Sequence, residues 1–229
     1  EIKEYTRALE IKQDALWYSN RGAAYEKLEQ FDKALLDYNQ MVLFDPDNLE
    51  VWNTRGLFYN NRENYQNAIN DFNQSLKIDG ESAYTHWYLA SASSDSQDYQ
   101  KSLIHYAKAI KIIKSSDLLN DYEIQQYLPQ IISQRAYVYM FIGELKKAIN
   151  DCNESIDLDS SNMFSYMSLS GVYMRLGDYK SIFATCDKGL KNSVGGESIL
   201  NLLKGVSYAR IDEFDSAYAI FHHALEVNE

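Results

Sequence analysis

Residues 16–48 read LWYSNRGAAYEKLEQFDKALLDYNQMVLFDPDN, and moving this stretch along the chain decides the fold. Shifted by 34 positions it nearly overlays the next segment of the chain: Gly22 falls on Gly56, Tyr25 on Tyr59, Ala34 on Ala68 and Tyr38 on Phe72. Self-similarity at a fixed period of this length marks an array of small units, each burying its apolar face against its neighbour. Within the unit, Trp17, Tyr18, Arg21, Gly22 and Tyr25 share a helix running to about Leu28. Phe31, Ala34, Leu35, Tyr38, Met41 and Val42 share a second helix after a turn at Glu29-Gln30. Small residues at Gly22 and Ala34 let the two antiparallel helices approach closely, while Tyr25, Phe31 and Tyr38 fill the seams. Asp45-Pro46 ends the second helix, because the residue before proline is pushed out of the α region.

The period then carries through the chain. Residues 1–14 read as a lone second helix, with Tyr5, Ala8, Leu9 and Ile11 roughly on one face. Repeats occupy 15–48, 49–82 and 83–116, then an insert lies at 117–128, then repeats resume at 129–162, 163–196 and 198–229. The whole is expected to be one domain over 1–229. Asn64, Asp98 and Asp178 stand where side chains are wanted to cap second helices. The insert carries Leu118, Leu119, Tyr122, Ile124 and Leu128. It is expected to lengthen the flanking helices, with Pro129 starting or kinking the next one.

Composition narrows the function. The chain has 229 residues, a net charge of −11 and only two prolines, which suits a helical protein. Clustered Lys and Arg, needed to hold a phosphate backbone, are absent, so nucleic acid is excluded as the expected partner. No apolar run is long enough to cross a membrane, so no membrane insertion is expected. Two cysteines, Cys152 and Cys186, are too few for a disulfide framework and point to a reducing compartment, the cytoplasm. The chain opens on Glu1, not Met, which leaves room for a segment before it.

Trp or Tyr, then Arg-Gly, then Tyr, Phe or Tyr, Ala, Tyr or Phe and Asp-Pro within a 34-residue period resembles the tetratricopeptide repeat family. The resemblance implies an all-α, right-handed superhelical solenoid of helix-turn-helix repeats. It also implies protein recognition, with first helices lining a concave groove. On that implication the groove is polar at Asn20, Glu50, Asn53 and Thr54. It turns aromatic and Met-rich at Tyr84, Trp87, Tyr88, Tyr137, Phe141, Phe164, Met167 and Met174, with Ser133, Met140 and Ser168 among them. Aromatics and Met are enriched at recognition surfaces. The expected ligand is an apolar, weakly charged peptide or helix of a partner protein.

Asn20 also matches the asparagine of the family's carboxylate clamp. The cations such a clamp requires in the next repeat are replaced by Glu50 and Thr54. A carboxylate bound there would be desolvated without a partner, which costs several kcal/mol; the clamp is rejected. Arg21, Arg55 and Arg135 recur with the repeat and are read as structural partners of acids on the neighbouring helix. Cys152 and Cys186 fall on the core position of Tyr38 and Phe72. The four histidines show no metal spacing, and no phosphate loop or nucleophile elbow is present. Neither catalysis, a cofactor nor a metal is expected. A final helix with Ala217, Ile220, Phe221, Ala224 and Leu225 is expected to present a bare apolar surface. Self-association through it, with the assembly as the function, is the alternative to peptide binding.

Overall fold

The computed structural model of the chain describes residues 1–115, 121–192 and 197–226, with the backbone alone at 121–125 and 223–226. Among the described residues there are thirteen α-helices and no strand. Two compact units divide the chain, Glu1–Ile112 and Ile113–Glu229. The first holds α1 (Ile2–Ile11), then the hairpins α2 (Ala15–Lys27) with α3 (Phe31–Phe44) and α4 (Leu49–Asn61) with α5 (Tyr65–Ile78). Next come α6 (Ala83–Asp95) and α7 (Tyr99–Ser115), whose last residues pass into the second unit. The second unit pairs α8 (Asp121–Phe141) with α9 (Leu145–Leu158), α10 (Met163–Leu176) with α11 (Tyr179–Asn192), and α12 (Glu197–Arg210) with α13 (Phe214–Glu226). α7 has 17 residues and α8 has 21, where the other hairpin helices have 13 or 14. The added length of α8 takes in the later part of the insert, and Pro129 lies inside that helix. Leu118 and Leu119 lie outside the described residues.

Each hairpin turn is built alike. The backbone N–H of Gln30, Asn64, Asp98, Glu144, Asp178 or Glu213 donates to the carbonyl five residues back, at 2.8–3.0 Å. The residue before it, Glu29, Glu63, Gln97, Gly143, Gly177 or Asp212, takes a positive φ. This is the Schellman ending of a helix, which satisfies carbonyls that the helix itself leaves open. First helices start on caps: the side chains of Asp14, Asn48, Ser82 and Asn162 accept from N–H groups of the opening turn. Among the second helices, Asp98 and Asp178 cap as expected, accepting from the N–H of Lys101 and Ser181. Asn64 holds the cap position, but its side chain makes no capping bond.

Packing inside the hairpins explains the recurring small residue of the period. A Cβ placed on Gly56 would stand 2.5 Å from Cε1 of Phe72, and one on Gly22 would stand 2.9 Å from Cε1 of Tyr38. Phe72 is fully buried among Ala68, Ile69, Leu89 and Ala92, so its ring has nowhere to retreat. Overpacking of this kind costs about 1–3 kcal/mol, while alanine in a helix gains about 1 kcal/mol over glycine. The clash wins: Gly56→Ala is expected to destabilise by about 1–2 kcal/mol, read as a lower urea midpoint at unchanged slope.

Three arginines tie the hairpins shut. Arg21 grips both carboxylate oxygens of Asp37 at 2.8 and 2.7 Å, Arg55 those of Asp71 at 2.8 and 2.8 Å, and Arg135 those of Asp151 at 2.7 and 2.9 Å. The carboxylates are buried. A further guanidinium nitrogen reaches the second helix of the preceding repeat, from Arg21 to Thr6 at 3.2 Å and from Arg55 to Asn39 at 2.9 Å. The structural reading of these arginines therefore holds. In the sixth repeat Lys204 keeps only the backward reach, to Asp187 at 2.6 Å.

In the third repeat the arginine position is Leu89 and the aspartate position is His105, which pairs instead with His86. The Nδ1 atoms of the two rings are 2.9 Å apart, and Nε2 of His86 lies 3.1 Å from the carbonyl of Gly80. A carbonyl only accepts, so Nε2 of His86 carries the proton. Nδ1 of His86 then accepts from Nδ1–H of His105, and both rings are neutral. Burial first, then His86, Lys108 and Lys101, push His105 down to about 4, and burial lowers His86 as well. The bond to the Gly80 carbonyl, then Glu81 and Asp79, pull His86 the other way. The folded state thus refuses protons that the unfolded chain accepts below its ordinary value near 6.5. Stability is expected to fall as pH drops from about 6.5 toward 4. His105→Asn should flatten that part of the melting-temperature profile; an unchanged profile would contradict the pairing.

At the last hairpin the structure corrects part of the expected bare surface. Ala217 is buried and Phe221 is half-buried, its ring lying where a Cβ on Gly205 would stand. These residues sit on the α12 side of α13, at the seam of the hairpin. Among the described residues, the exposed large apolar side chains of α13 are Phe214 and Tyr218, four apart on another face. The side chains of Ala224 and Leu225 lie outside the described residues.

Candidate functional site

The two units present first helices of different chemistry. In the first unit, Leu16, Ser19, Glu50 and Thr54 line a shallow crevice of about 250 Å3 between α2 and α4, closed by Asp14, Asp45 and Asn48. Three of its polar side chains are already committed: Asp14 and Asn48 cap helices and Asp45 accepts from Asn48. Asn20 is half-buried on α2. Tyr84, Trp87 and Tyr88 are half-buried on α6. The rings of Trp87 and Tyr88 stack at 5.9 Å, and Tyr88 lies 5.8 Å from Phe72, against the buried cluster. Asn53 is fully buried and bonds Thr85 of the next repeat at 2.9 Å, so it belongs to the seam between repeats and not to an exposed face.

The second unit exposes its aromatics. Tyr137, Phe141 and Phe164 are 39%, 42% and 37% exposed. Tyr137 lies 4.7 Å from Phe141 along α8 and 5.7 Å from Phe164 on α10. The spacing has a simple cause: Tyr137 and Phe141 are four apart and so stand one above the other on a helix. Phe164 opens the neighbouring first helix. Arg175, at the end of α10, donates to the carbonyl of Met140 at 2.7 Å and sits 5.5 Å from the ring of Phe141, fastening α10 to α8. Met167 and Met174 are half-buried and pack against the core cluster of Tyr166, Leu169 and Leu200. Ser133, Met140 and Ser168 are buried, which corrects their placement on the exposed face. Met140 packs against Val172 of the next repeat, at a seam as Asn53 is.

Two further residues belong to this face. The same positions of the sixth repeat hold Ile199 and Leu202, which are 43% and 52% exposed on α12. The repeat period alone would have placed them beside Phe164, since α12 packs on α10. Cys152 and Cys186 are buried, with burial pushing the Cys152 thiol up to about 12. No group of metal-ligating side chains occurs among the described residues.

Comparison with known families matches residues 15–48, 49–82 and 129–162, each one full period, to the tetratricopeptide repeat. The chain carries tetratricopeptide repeats. Over 94 residues the chain is 29% identical to the tetratricopeptide repeat protein 4 homolog of Dictyostelium discoideum, covering 41% of this chain and 22% of that one. Over 106 residues it is 26% identical to the U-box domain-containing protein 70 of Oryza sativa subsp. japonica, covering 46% of this chain and 12% of that one. The chain thus spans less than a quarter of either relative. A solved tetratricopeptide repeat protein from Parabacteroides merdae superposes with a TM-score of 0.76 at 16% identity, covering 98% of this chain and 84% of the other. That likeness concerns the fold. Tetratricopeptide repeats are in general non-enzymatic scaffolds for protein–protein interaction. No helix among the described residues is long and apolar enough to cross a membrane.

Proposed function

We propose that this tetratricopeptide repeat protein is a non-enzymatic adaptor that holds an apolar, weakly charged segment of a partner protein against the first helices of its second unit. The supporting observation is the cluster of Tyr137, Phe141 and Phe164, three large rings held together and left open to solvent on two neighbouring helices. Aromatic anchors in such clusters dominate binding energy where an interface exists. The half-buried Tyr84, Trp87 and Tyr88 of the first unit, already packed on one another and on Phe72, contribute less. So does Asn20.

A selection of random dodecamer peptides on the immobilised chain tests this reading. Enriched peptides should be rich in Leu, Ile, Phe and Trp. Tyr137→Ala should weaken them by about 2 kcal/mol or more, roughly 30-fold. Peptides that bind Tyr137→Ala and Phe164→Ala as tightly as the unaltered chain would overturn it. A second reading, self-association, is favoured by the exposed Phe214 and Tyr218 on α13. It predicts a size that rises with concentration in sedimentation and falls back in Phe214→Ser/Tyr218→Ser. A constant size excludes it.

A further inference from the structure

The first helices of the second unit are set apart by charge as well as by apolarity. In a chain of net charge −11, residues 129–141, 163–176 and 198–210 contain no Asp or Glu. The carboxylates of this unit stand on second helices, on turns and at the start of α8 and α12. The first helices carry four cations, and two of these are neutralised: Arg135 by Asp151 and Lys204 by Asp187. Arg175 and Arg210 remain. Both are exposed, and neither has an acidic partner among the described residues. They are 35 residues apart in sequence, at matching positions in the last turns of α10 and α12, which pack together. Arg175 touches the ring of Phe141, so the cationic edge is continuous with the aromatic cluster.

We infer that the partner segment bound on this face carries at least one carboxylate, placed beyond its apolar residues so as to meet Arg175 and Arg210. The inference rests on the docking reading proposed above and adds the charge of the ligand. One Nη of Arg175 already donates to the carbonyl of Met140, so a carboxylate meets its remaining N–H groups and the guanidinium of Arg210, which are charge-assisted donors beside an apolar surface. A cation in a last helical turn also complements the helix dipole. That role stabilises the helix whatever the ligand, so the test must turn on the ligand's charge.

The probes are peptides recovered from the dodecamer selection, each made with its acidic residues intact and with Asp→Asn or Glu→Gln replacements. Binding is measured to the unaltered chain and to Arg175→Gln/Arg210→Gln. Neutralising the peptide should weaken binding to the unaltered chain about tenfold and leave binding to the double variant nearly unchanged. Selected peptides without Asp or Glu, or an equal effect of neutralisation on both proteins, would overturn the inference while leaving the docking face intact. Peptides that ignore Tyr137→Ala and Phe164→Ala would instead remove the docking reading itself.

Discussion

Arg135→Leu is expected to cost about 3–5 kcal/mol, because it removes one member of a buried ion pair and leaves the other. Asp151 is nearly excluded from solvent, and Arg135 holds both of its oxygens. Burial already pushes the Asp151 carboxyl above its ordinary range, and the pull of Arg135 only partly offsets it. Without the guanidinium, desolvation acts unopposed and the folded variant binds a proton more readily than the unfolded chain. A raised carboxylate penalises folding above its unfolded value, and the penalty fades as pH falls. The gap between variant and unaltered protein should therefore narrow as pH drops from 7 toward 4. Arg135→Leu/Asp151→Leu should recover most of the loss, since an apolar pair of similar volume often replaces a buried ion pair at little cost. Urea unfolding at several pH values measures all three. An equal loss in single and double variants would mean that the pair stabilises in its own right.

Phe72→Ala is expected to cost a similar amount, about 3–5 kcal/mol, for a different reason. The ring is fully buried and fills the space above Gly56, where its partner helix has no side chain. Ala68 and Ala92 in the same cluster are too short to fill the void, and cost rises with the cavity left behind. Phe72→Leu should be far milder. If alanine cost no more than leucine, the hairpin would be collapsing around the loss, contrary to the tight helix approach that glycine permits.

Both effects trace to residues that the 34-residue shift already paired. Arg21 with Asp37, Arg55 with Asp71 and Arg135 with Asp151 stand at one fixed separation, so periodicity exposes them without coordinates. The glycine and aromatic of the first, second and last hairpins do the same. The seam residues of the candidate face were not legible in this way. Asn53, Ser133, Met140 and Ser168 occupy positions that the family places in its groove, yet they are buried. A helix turns about 100° per residue, so positions one apart on the edge of a face divide between solvent and neighbour. Side-chain size does not say which. The His86–His105 contact was hidden for another reason. Its two members are 19 residues apart, on facing helices, and only the replacement of the Asp position by His105 hints at it. Ile199 and Leu202 were readable but required the period to be carried into the last repeat.

The docking face on the second unit is tested most directly by a crystal structure of the chain with its tightest selected dodecamer. The expected result is a peptide whose apolar side chains contact Tyr137, Phe141 and Phe164, with a carboxylate within hydrogen-bonding distance of Arg175 or Arg210. A peptide seated on the second helices, or on α2 and α4 of the first unit, would contradict it.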